Sequence, residues 1–177
     1  MFQFKAHLGS KSGSGNHRGS IFRLHLGHAL LNKENCTIPT WGVGSVAPPE
    51  LRSDLVAQEA EATWEKKVSD RIGAMTILWV DVPDEPSAAS MRAYIERNAI
   101  ALLSNHHSPI APASEAWLGR HSAREEIRTS LLWNLKHVNE EYDPAFLDVL
   151  EQAIHRTAHL QAPSDVLNRN DDDKASA

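Results

Sequence analysis

Residues 75–82 read MTILWVDV. From Met75 to Val80 only Thr76 is not apolar, and the run is rich in the β-branched and aromatic side chains that suit a pleated surface. Gly73 and Pro83 bound it. A continuous apolar run without alternation predicts a strand buried on both faces, at the centre of a sheet. The acidic turn PDEPS follows at 83–87, and a helix is expected from about Ser87 to Ser104. The rest of the chain reads as helix and loop. The expected fold is therefore α/β but α-rich: a small central β-sheet remnant packed by helices, with a helical C-terminal extension.

Before the strand, residues 50–72 give the strongest helical pattern. Glu50, Asp54, Glu59, Glu61 and Glu65 come early and Lys66, Lys67 and Arg71 late, an order that suits the helix dipole. Leu51, Leu55, Trp64, Val68 and Ile72 mark its buried side, and Gly73 is a natural stop. A shorter helix is expected over 20–32, capped by Ser20. The stretch GSKSGSGNHRGS at 9–20 is Gly/Ser-rich and reads as a flexible loop. Its lysine precedes the later glycines, so it is no phosphate-binding P-loop. Residues 35–49 read as an irregular connection.

Past Pro109 and Pro112 the chain is irregular up to WLGRHS. Ser122 and Glu125 have capping-box spacing ahead of a helix carrying Ile127, Leu131, Leu132 and Leu135. Asp143 reads as the N-cap of a last helix, with Pro144 at its first position and Phe146, Leu147, Leu150 and Ile154 on its apolar side. Residues 161–177 end in NRNDDDKASA and read as a disordered tail. The expected organisation is a domain over 1–110, a helical extension over 111–160 and the tail.

The chain has 177 residues, of which 41% are hydrophobic and 23% charged, enough for a real core. No apolar run reaches the roughly 18 residues of a membrane span. The N-terminus lacks the apolar core of a secretory signal, and Cys36 is the only cysteine. A disulfide framework and a Cys-rich zinc site are thereby excluded, and the expected compartment is the cytoplasm. Net charge is −5, but residues 1–33 hold Lys5, Lys11, Arg18, Arg23 and Lys33 with no acid. One end can meet a phosphate backbone although the whole chain is acidic.

Ten histidines invite a metal reading. His155 and His159 share a helix face, but the glutamate and third ligand of an HExxH site are absent, and a solvated face explains them as well. No GxSxG turn supports a covalent hydrolase. The stretch IERNAIALLSN at 95–105 stands out for its consecutive acid, base and amide. Arg92, Ala99, Ile100 and Leu103 share the face of Glu96. A mid-helix glutamate is usually a surface residue. At the rim of a core, a carboxylate can also hold a divalent ion that meets a phosphate.

Strand, acidic turn and IERNAIALLSN together resemble the second half of the GIY-YIG endonuclease domain. In that family a strand leads into a helix with an E-x-N-x-I signature, matched here by Glu96, Asn98 and Ile100. FKAHLG at 4–9 resembles the end of the family's first helix, and HRGSIFRLHLG at 17–27 the helix that follows in some bacterial members. The resemblance covers about residues 1–110. It implies Mg2+-dependent phosphodiester cleavage of DNA, with Glu96 holding the metal. Lys5, Lys11, Arg18 and Arg23 are the expected phosphate contacts. The GIY and YIG segments, which supply a catalytic tyrosine, are not in the sequence and are expected to precede Met1. Gln3 stands where the family has its catalytic arginine, leaving Arg18 or Arg23 as stand-ins. Without these groups catalysis by this chain would be weak. The competing class is a non-enzymatic helical protein-interaction domain, working through the 50–72 helix and the C-terminal helices.

Overall fold

The computed structural model describes residues 15–161. Their regular structure is helical throughout. A 3-10 turn at His17–Gly19 leads into α1 (Ile21–Glu34). Then come α2 (Pro49–Ser53), α3 (Leu55–Gly73), α4 (Met91–Leu103), a second 3-10 turn at Leu118–His121, α5 (Glu125–Ser130) and α6 (Phe146–Gln161).

No strand occurs among the described residues, so the α/β expectation is corrected to an all-helical fold. Residues 76–83 form neither helix, turn nor sheet. Leu78 is 92% exposed and Trp79 57% exposed, where burial on both faces was expected. The physical reason is cooperativity. A strand is held by ladder hydrogen bonds to neighbours, and one run of β-formers without a partner has none to make. The Asp81 amide instead donates to the Thr157 hydroxyl at 2.8 Å.

The expected 50–72 helix is two helices. Asp54 takes an extended backbone, and its Oδ1 accepts from the amides of Val56 at 2.9 Å and Ala57 at 3.1 Å. Aspartate serves better as an N-cap than inside a helix, so the chain restarts there. Leu55, expected inside, lies in the exposed first turn of α3. Ser20 caps α1 as its spacing predicted, accepting from the Arg23 amide at 3.2 Å. The Ser122 hydroxyl accepts from the Arg124 amide rather than completing a capping box. α5 stops at Ser130, and Leu131 follows in the left-handed region at φ 60°.

The described residues fall into two compact units. One comprises the segments up to Ile77 and Ala99–Glu141; the other comprises Leu78–Asn98 and the segment from Tyr142. The core of the first unit joins Leu26, Leu30 and Leu31 of α1, Trp41, and Trp64, Val68 and Ile72 of α3. Trp64 Nε1 donates to the Gly27 carbonyl at 3.1 Å. A Cβ on Gly27 would run into the Trp41 indole, so this crossing requires glycine.

In the second unit, Ile95 and Asn98 of α4 and Phe146, Ala153 and Thr157 of α6 are buried. Ser90 caps α4, its hydroxyl accepting from the Ala93 amide at 3.1 Å. Arg92 gathers the preceding loop: its Nη2 donates to the carbonyls of Val82 at 3.1 Å and Asp84 at 2.9 Å, and it pairs with the Asp84 carboxylate at 3.2 Å.

Candidate functional site

Helix α4 brings the acid, base and amide of 96–98 into one turn, and geometry separates their roles. Asn98 is 1% exposed. Its Nδ2 donates to the Tyr94 carbonyl at 2.8 Å, and its Oδ1 accepts from the Asp143 amide at 2.7 Å. The Tyr94 hydroxyl donates to Asp143 Oδ2 at 2.7 Å, and Asp143 Oδ1 accepts from the Ala145 amide at 3.0 Å. Tyr94 and Asn98, one turn apart, thus bind the chain just before α6. The hydrogen bond to Asp143 raises the Tyr94 pKa; the same bond, then the Ala145 amide, holds Asp143 below the usual carboxylate range.

Glu96 follows Tyr94 by two residues, and at about 100° per residue it points to roughly the opposite side of the helix. It is exposed there. Arg97, also exposed, lies on the flank between, where its charge acts on Tyr94 and Asp143. The clamp therefore fixes the rotation of α4 about its axis, and with it the direction of Glu96.

Among the described residues no group of three or more His, Cys, Asp or Glu side chains could hold a metal ion. Glu96 therefore belongs to no such group. An all-protein cage is not available to it.

Arg18 and Arg23 lie in the first unit, facing two carboxylates of α3. Arg23 is 0% exposed. Its Nε and Nη2 reach Glu65 Oε2 at 3.0 and 2.5 Å, and Nη2 also donates to the Glu65 carbonyl at 2.9 Å and to Ser69 Oγ at 3.0 Å. Arg18 forks onto Glu61 at 2.7 and 2.8 Å and donates to the Thr40 carbonyl at 2.8 Å.

His17 completes the cluster. The Gly42 amide donates to its Nε2 at 3.1 Å, so the ring proton sits on Nδ1 and is donated to Glu65 Oε1 at 2.9 Å. Its ring stacks on Trp41 with centroids 3.9 Å apart. Burial pushes both Glu61 and Glu65 up. The hydrogen bonds from Arg18 to Glu61, and from His17 and Arg23 to Glu65, outweigh burial, and both carboxyls stay below their ordinary range. Lys5 and Lys11 lie outside the described residues.

Sequence reasoning missed two carboxylates and a hydroxyl here. Glu61 and Glu65 stand one turn apart beside Trp64 and Val68, and like charges on a core-facing stripe call for buried cations. That signal was readable in the spacing. The Tyr94–Asp143 contact joins positions 49 residues apart and leaves no local trace.

No helix among the described residues is long and apolar enough to cross a membrane. No curated protein and no solved structure matches the chain. A family model described as the GIY-YIG domain matches residues 2–160. That family suggests a nuclease-like function and a nucleic acid substrate, and its nucleases are generally metal-dependent. With nearly the whole described length matched, the chain belongs to the GIY-YIG domain family.

Proposed function

We propose that the protein is a divalent-metal-dependent DNA endonuclease in which Glu96 holds the ion, Mg2+ by its chemistry. One observation carries the reading: Glu96 is exposed on a helix whose rotation is fixed by a buried hydrogen-bond clamp, as a metal ligand requires. When bound, the ion would supply charge stabilisation at the phosphate and polarise its oxygens. Asn98, Tyr94 and Asp143 orient the carboxylate from behind. Arg18 and Arg23 serve this reading through Glu61 and Glu65, holding the first unit together. Phosphate neutralisation along the backbone falls to Lys5 and Lys11, and near Glu96 to Arg97. The protein expressed from its complete reading frame is expected to nick supercoiled plasmid with Mg2+ and to stop when excess EDTA is added. Nicking that persists undiminished in EDTA contradicts the metal assignment.

A further inference from the structure

A cleft of about 260 Å³ opens in the first unit. Leu103, Ile110, Pro112 and Leu131 form apolar walls, with Trp117 beside them. Asn105 uses both ends of its amide on the loop beside it. Its Oδ1 accepts from the Ile110 amide at 2.9 Å, and its Nδ2 donates to the Ala111 carbonyl at 2.6 Å. Both bonds are spent on holding the 105–111 loop that builds one wall.

Trp117 is set in place before anything binds. A Cβ on Gly119 would collide with its indole, so the ring lies directly against backbone that only glycine can provide. Trp133 supports it, with ring centroids 6.0 Å apart. A ring held this way loses little freedom when another ring stacks on it.

The charge beside the cleft is positive. Arg120 Nε donates to the Ser114 carbonyl at 3.1 Å and Nη2 to the Ala113 carbonyl at 2.5 Å, and both of these residues line the cleft. Two guanidinium nitrogens are spent on backbone; Nη1 has no protein partner among the described residues. Arg120 is exposed and pairs with no carboxylate among them. An apolar slot of this size with a fixed indole suits one planar ring, and the pinned guanidinium suits the phosphate attached to it.

We propose that this cleft binds one unstacked nucleobase of a single-stranded or distorted nucleic acid, with Trp117 as the stacking ring and Arg120 on the adjoining phosphate. The inference rests on the reading that the protein acts on nucleic acid, and it gives that reading a substrate preference: strands with an unpaired base over plain duplex. A groove for an apolar peptide would not need an unneutralised guanidinium beside it.

The test is equilibrium binding of the full chain, in EDTA, to a labelled single strand of about 12 nucleotides and to an abasic strand of equal length. The base-bearing strand is expected to bind about tenfold more tightly. Trp117→Ala should erase that ratio and Trp117→Phe should keep most of it. Arg120→Ala should weaken both strands alike and flatten the salt dependence. Should Trp117→Ala not fold, Leu103→Glu changes a wall residue that is 57% exposed and should erase the ratio without unfolding. Equal affinity of the wild type for the two strands overturns the proposal. So does an unchanged ratio in a folded Trp117→Ala protein, or occupation of the cleft by an apolar peptide that neither strand displaces. The ratio is read in EDTA and cleavage in Mg2+, so failure of the cleavage reading and failure of this one are distinguishable.

Discussion

The Arg23 guanidinium and the Glu65 carboxylate meet inside the first unit, Nη2 to Oε2 at 2.5 Å, with the arginine side chain wholly buried. An ion pair removed from water is stable only when its remaining donors and acceptors are satisfied. Here Ser69, His17 and the Glu65 carbonyl satisfy them.

Removing one partner should therefore be costly. Arg23→Met leaves a buried carboxylate without its cation and is expected to destabilise by about 3–5 kcal/mol in urea denaturation. Arg23→Lys should recover only part of this, since an ammonium cannot reproduce the fork. A cost below about 1 kcal/mol for Arg23→Met would place the guanidinium outside the core.

Stability should fall with acid in two stages. Burial, first, lowers the pKa of His25 and His28, with Arg124 adding to the effect at His25. The unfolded chain then binds protons that the folded one resists, so stability falls as pH drops below about 6.5. Glu61 and Glu65 are also depressed, so their contribution is complete above their unfolded pKa of about 4.3 and is lost as pH falls through the lower folded values. Urea midpoints measured from pH 7 to pH 3 check both stages. His28→Gln should soften the upper stage and Glu61→Gln the lower, and a single stage in the wild type would contradict the assignment.

The clamp behind Glu96 is also measurable. Asn98→Ala leaves the Asp143 amide without its buried acceptor and should cost about 1–3 kcal/mol in thermal unfolding. Tyr94→Phe should leave the fold intact and return the Asp143 carboxyl toward its ordinary value, followed by NMR titration. An unmoved Asp143 would deny the hydrogen bond.

The 75–82 stretch shows where the sequence misled. Its composition is that of a strand, and composition cannot reveal whether a partner exists. Helices were legible because their bonds are internal. Ser20 announced its helix start correctly, and Trp64, Val68 and Ile72 identified the buried face of α3, whereas α6 begins at Phe146, past the expected cap Asp143 and first position Pro144. Leu78→Ser and Trp79→Ser test the corrected account. Both are expected to change stability by less than about 0.5 kcal/mol, whereas Ile72→Ala should cost about 2–5 kcal/mol.

At the candidate site, the sequence singled out 96–98 but not the division of labour within it. Glu96 and Asn98 look alike in one dimension; only the distant Asp143 makes the second structural. Arg18 and Arg23 read as surface cations because their partners, Glu61 and Glu65, lie more than 40 residues away.

The central claim is that Glu96 holds the metal for DNA cleavage. The most direct measurement is Mg2+-dependent nicking of supercoiled plasmid by the protein from its complete reading frame, wild type beside Glu96→Gln, with both shown folded. The account predicts nicking by the wild type and loss of about 100-fold or more in the variant, the scale on which electrostatic stabilisation of a transition state acts. Equal nicking by the two proteins would contradict it.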